Sequence, residues 1–101
     1  MAQRVTTRKV LSDEVQGEGS YVMLRALPYG MVTRRSRIDP DNMDELMAFN
    51  REFLAEIVVD WNWVDDAGKS LSLPADPEQL VMPEFEFIAR AAGLYDGAKK
   101  A

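Results

Sequence analysis

Cysteine and histidine are both absent from this chain. The first absence excludes disulfides, thiolate nucleophiles and sulfur-ligated metals. The second removes the commonest general base and the commonest transition-metal ligand. Also missing is any unbroken apolar run of the length a membrane-spanning helix requires. The N-terminal stretch "MAQRVTTRKVLSDEVQ" carries basic residues without the apolar core of a secretory signal, so the expected location is cytoplasmic. Catalysis would fall to carboxylates, lysines, serines or tyrosines. The sequence assembles none of these into a site, and the expectation is a non-enzyme that needs no cofactor.

What is present suits one small domain. The 101 residues, 47% of them apolar, can form a modest core, in a size range where roughly 60–70% of the unfolded surface is buried on folding. The net charge of −5 is unevenly spread: residues 1–38 hold seven Lys/Arg against three Asp/Glu (+4), and residues 39–101 hold five against fourteen (−9). Such asymmetry marks either an interaction surface or simply solvated acidic helices. A net acidic chain argues against nucleic acid as the main partner.

Along the chain the pattern predicts an α+β fold, mainly helical. Residues 1–19, ending in "QGEGS", show little periodicity and are expected as a flexible arm, or at most one short strand at Arg8–Leu11. In "SYVMLRA", Val22, Leu24 and Ala26 alternate with Tyr21, Met23 and Arg25, which predicts a strand with one packed face. Pro28 can open a short helix that Gly30 weakens. Arg34, Arg35 and Arg37 then form a basic cluster, either solvated loop surface or a docking patch for an acidic partner.

The strongest helical signal is "DPDNMDELMAFNREFLAEIVV" (39–59). Asp39 suits the N-cap, Pro40 the first helical position, and Asp41, Asp44 and Glu45 the positive end of the helix dipole. Met43, Leu46, Met47, Phe53, Leu54, Ile57 and Val58 recur at helical spacing, and Asn50 interrupts them. Asn50 is either a polar residue at the core's edge or a contact left open for a partner. Asp76-Pro77 opens another short helical turn ending near Met82, and Pro83 starts a helix carrying Phe85, Ile88, Ala91 and Ala92. Phe87 falls off that stripe, as an exposed aromatic would. Gly93 reads as a left-handed C-terminal cap with Leu94 folding back behind it. Residues 95–101 are expected as a flexible tail.

Between the helices lies "VVDWNWVDDAGKSLSLP" (58–74), which holds both tryptophans. Asp65 suits the start of a type I turn and Gly68 the left-handed residue that completes a three-residue loop. That register pairs Asp65 with Lys69, Trp63 with Leu71 and Trp61 with Leu73, all on one face, and leaves Asp60, Asn62, Ser70 and Ser72 on the other. The apolar face is expected to pack on the long helix. At least one tryptophan then belongs to the core, and the second is either core or a binding surface, where Trp is enriched among hot spots. Metal binding is not expected. An EF-hand would need a Glu six residues past Gly68, and Pro74 stands there.

The same stretch resembles the small tail assembly chaperones of long-tailed phages and prophages. The resemblance rests on Trp61, Asn62, Trp63, Asp65, Gly68, Leu71, Leu73 and Pro74, with the upstream "GSYVMLRALPYG", and covers residues 18–94. It implies a non-catalytic protein of the host cytoplasm that binds the tape measure protein and assists assembly of tail-tube protein around it. It also implies self-association, absence from the finished virion, and no role for nucleic acid or membrane. The motif residues are carried over as a motif and a possible partner surface, with no residue-level binding map. An adaptable apolar groove is what such a role needs, and Met43, Met47 and Met82 suit one, or else fill an ordinary core. The rival reading is a small structural component of the tail or head-tail connector. In this family a longer product often arises by frameshifting, so Lys99-Lys100 is a candidate for a slippery codon run.

Overall fold

A computed structural model describes residues 6–94. The expectations for residues 95–101, including Lys99-Lys100, fall outside them. In chain order the elements are β1 (Thr7–Leu11), α1 (Asp13–Gln16), β2 (Tyr21–Arg25), α2 (Tyr29–Arg37), α3 (Met43–Ile57), β3 (Val58–Trp61), a 3-10 turn (Pro77–Gln79) and α4 (Met82–Ala92). The three strands form one antiparallel sheet in the order β1-β2-β3. The fold is a small α+β domain.

Strand β2 is the centre of the sheet. Val22 and Leu24 turn inward, as their alternation requires, whereas Ala26 lies beyond the strand and is exposed. Within the stretch expected as an arm, β1 is the short strand allowed at Arg8–Leu11, one residue longer. α1 and two buried serines, Ser12 and Ser20, join residues 12–20 to the core.

α3 differs from its expected bounds at both ends. Asn42, not Asp39, is the N-cap: its side-chain oxygen accepts from the Glu45 N–H at 3.2 Å. Asp39 instead accepts from the Asp41 N–H and closes the preceding turn around Pro40. At the far end the helix stops at Ile57, where the β-branched pair Val58-Val59 passes directly into β3. Leu24 pairs with Val58 and Met23 with Asp60, so Val59 is an extra residue, a β-bulge. The bulge lets Val58 and Trp61, three positions apart, both face the core.

The hairpin turn forms in the expected register, but it is short. Asp65 N–H donates to the Lys69 carbonyl and Leu71 N–H to the Trp63 carbonyl, and Val64 bridges Ser70. The proposed pairing of Trp61 with Leu73 does not occur. Trp61 pairs with Val22 of β2, which offers a longer ladder than Leu73 ahead of Pro74. Gly68 has φ +80° and Gly93 φ +85°, the left-handed values their turn and helix cap require. Leu94 folds back and is buried.

The core gathers Phe53, Leu54 and Ile57 of α3, the inward face of the sheet, and Phe87, Ile88 and Ala89 of α4. Phe87 is 8% exposed, which corrects the expectation of a surface aromatic: it stands 6.3 Å from the Trp63 ring. α4 touches α3 through Phe53 and Phe85 and β1 through the hydrogen bond from Arg8 to the Ala91 carbonyl, which leaves Phe87 free to face Trp63.

Candidate partner-binding groove

The two tryptophans of the motif belong to the core. Trp63 is 0% and Trp61 7% exposed, and their rings stack at 5.2 Å with 12° between planes. Burial at this level contributes roughly 1.5–3 kcal/mol per large apolar side chain. Neither indole offers a surface for a partner. Each indole N–H also has an acceptor, as buried donors require. Trp61 Nε1 donates to the Leu71 carbonyl at 3.2 Å. Trp63 Nε1 donates to Ser12 Oγ at 2.9 Å, Ser12 Oγ to Ser20 Oγ at 2.7 Å, and Ser20 Oγ to the Gly17 carbonyl at 2.7 Å.

The polar motif residues have structural tasks too. Asn62 Oδ1 accepts from the Tyr21 N–H at 2.8 Å and Nδ2 donates to the Gly19 carbonyl at 3.1 Å, clamping the end of β3 to the start of β2. One Asp65 carboxylate oxygen accepts from the N–H groups of Ala67 and Lys69, both at 2.9 Å, which fixes the turn. Leu71 is half-buried against the core. Only Leu73 and Pro74 of the motif, joined by a cis peptide bond, remain exposed without a partner of this kind.

Two residues outside the motif complete the scaffold. Gln16 accepts from the Val64 N–H and donates to the Val64 carbonyl and to Glu84 Oε2. Glu84 Oε1 in turn accepts from the Val81 N–H at the start of α4, so one amide ties hairpin to helix. Neither residue had a signal in the sequence, since their partners lie 48 and 68 positions away.

A concave apolar surface lies between α3 and α4. The helical stripe of α3 divides along its length. Its C-terminal half enters the core, while Leu46, Met47 and Asn50 form one wall of a groove of about 230 Å³. Leu80, Met82 and Phe85 form the facing wall. Phe53 and Phe85 meet edge-on at 6.2 Å, linking the groove to the core. Met82, Val81 and Met47 at the groove are exposed, Met82 to 68%, and Met43, one turn before Met47 on α3, is exposed as well. These methionines therefore do not fill the core, and the groove is open.

The groove's polar groups are few. Asn50 is half-buried, and its side chain makes no hydrogen bond among the described residues. Arg35 comes from the α2 side and Glu86 from α4, and neither has an ion-pair partner among the described residues. The arginine cluster thus separates into different environments on the last turn of α2, which is helix rather than loop. Arg34 makes a two-pronged pair with Glu52 at 3.1 and 2.7 Å and lies 5.3 Å from the Phe49 ring centroid. The hydrogen bonds from Arg34, with its charge, hold the Glu52 carboxyl below the ordinary range, and the same bonds raise Arg34. Arg37 is exposed.

Among the described residues there is no group of three Asp or Glu side chains placed to hold a metal ion, and no helix long and apolar enough to cross a membrane. Comparison of the chain with family models, curated proteins and solved structures finds no match.

Proposed function

We propose that this protein is a non-catalytic phage tail assembly chaperone that binds the tape measure protein and assists tail-tube assembly in the host cytoplasm. The observation that carries the reading is the groove between α3 and α4, with Met47 and Met82 exposed at its walls. Flexible, polarizable methionine side chains adapt to varied apolar partners, which is what holding a long aggregation-prone chain requires. Acidic residues on the surrounding helices keep such a complex soluble. In this reading the tryptophan motif holds the hairpin, α1 and α4 together, and the groove does the binding.

Co-expression with the long helical reading frame expected beside the gene, followed by co-purification, tests the proposal. Wild-type protein should retain the tape measure protein in soluble form, and Met47→Asp with Met82→Asp should release it. Met82 is the first residue of α4, where the helix dipole favours a carboxylate, so this change should leave folding intact. Abundant copies in purified particles would instead favour a structural component of the tail or head-tail connector.

A further inference from the structure

We infer that the groove takes a single amphipathic α-helix with an acidic flank on the Arg35 side, a basic flank on the Glu86 side, and one polar residue in its apolar stripe. The inference rests on the binding reading given above and specifies the kind of chain that is bound.

Three observations lead to it. First, the groove is walled by helical residues and by the apolar segment leading into α4, and Asn50 is the one amide side chain within it. An extended peptide would bring a row of backbone N–H and C=O groups into apolar surroundings that cannot pair them, at a cost for each. A helix satisfies those groups internally and presents side chains alone. Second, Arg35 and Glu86 stand on different walls with opposite charges and no ionic partner among the described residues. Neighbouring charges are already engaged: Arg34 by Glu52, and Arg51 by Asp76 and Glu78. An occupant with complementary flanks pairs with both, whereas one with a single charge sign is repelled by one wall. Third, the Asn50 amide makes no hydrogen bond among the described residues and would be covered by an occupant of the groove. A polar side chain opposite it restores its hydrogen bonds and fixes the register, as a lone buried Asn does in a coiled coil.

The length of the occupant follows from α3. From Leu46 to Asn50, the part of α3 that lines the groove, the helix advances about 6 Å at its ordinary rise, so the contact on this wall spans about one turn of a bound helix. Short peptides are therefore adequate probes. Four are needed, each about 14 residues long with apolar residues at helical spacing and one Gln in the stripe. One carries a Glu flank and a Lys flank, one has Glu on both flanks, one has Lys on both, and one repeats the first with two central prolines.

Titration into isotope-labelled full-length protein, followed by NMR at about 0.15 M salt to screen the net charge, reads their affinities. The mixed-flank peptide should shift the resonances of Asn50, Met47 and Met82, and its proline-broken counterpart should not. Arg35→Glu should raise the affinity of the Lys-flanked peptide relative to the mixed one by about two- to fivefold, the scale of exposed charge pairs. Glu86→Lys should do the same for the Glu-flanked peptide. Asn50→Leu should reverse the preference between the Gln peptide and a version with Leu in its place. Equal binding by the proline-broken peptide, relative affinities indifferent to Arg35 and Glu86, or no binding by any probe would overturn the inference. So would a dimer of this chain that buries Met47 and Met82 and that no peptide displaces. Peptide binding without capture of the tape measure protein would remove the chaperone reading and leave the helix inference standing. Capture that survives every groove substitution would place binding outside the groove and remove both the groove as the binding site and the helix inference, while leaving capture itself standing.

Discussion

Ser12 shows how much of this fold turns on residues with no signature. Its hydroxyl accepts the Trp63 indole N–H and donates to Ser20, all within the protein interior. Ser12→Ala leaves the indole N–H buried without an acceptor, so chemical denaturation should show a loss of about 1–3 kcal/mol. Trp63→Ala removes the ring as well, and the loss should rise to about 3–5 kcal/mol. A Ser12→Ala variant as stable as wild type would mean that the relay does not form. Trp63 was legible as a core candidate from its size and its place on a strand. Ser12 was not, because its partner lies 51 residues away and a serine before a glycine-rich stretch looks the same whether buried or solvated.

Single elements were legible where the signal is local. The Asp65–Gly68 turn, the Gly93 cap and the Asp76-Pro77 start each follow from residues within a few positions of one another. Gly68 has no atom near the position a Cβ would take, so Gly68→Val tests backbone conformation alone. Its cost should be about 1–3 kcal/mol by denaturation, the range for a strained backbone. A negligible cost would contradict a left-handed Gly68. Elements whose limits depend on distant packing were not legible. The end of α3 at Ile57 is set by the pairing of Val58 with Leu24, and the short reach of the hairpin by the pairing of Trp61 with Val22. The α2–α3 contact carries its own prediction. Arg34 lowers the Glu52 pKa in the folded state, so the pair stabilises the fold above the ordinary glutamate value, and that contribution is lost as pH falls through the lowered value. Melting curves of wild type and Glu52→Gln should differ near pH 7 and converge in acid, from about pH 4 downward. A difference independent of pH would show that the pair does not act through its charge.

At the scale of the whole molecule, two apolar systems with different tasks are built from neighbouring helices. One is the closed core, in which both tryptophans, Phe53 and Phe87 are fully engaged. The other is the open groove between α3 and α4, where exposed Met47 and Met82 stand beside Phe85. The sequence shows a single helical stripe from Met43 to Val58 and, apart from Asn50, gives no sign of where it passes from groove to core, because that depends on packing against residues distant in the chain. Asn50 is the one residue that hinted at the boundary. The measurement that separates the two systems uses the six methionines as reporters, with the Trp63 indole N–H as an internal control. Methyl-labelled protein titrated with a soluble form of the proposed partner, the tape measure protein, should show the Met47 and Met82 methyl resonances shifting together, while the Met31 methyl, buried in the core, and the Trp63 indole stay in place. Movement of the Trp63 indole with Met47 and Met82 unmoved would place binding at the tryptophan motif and contradict the division between scaffold and groove.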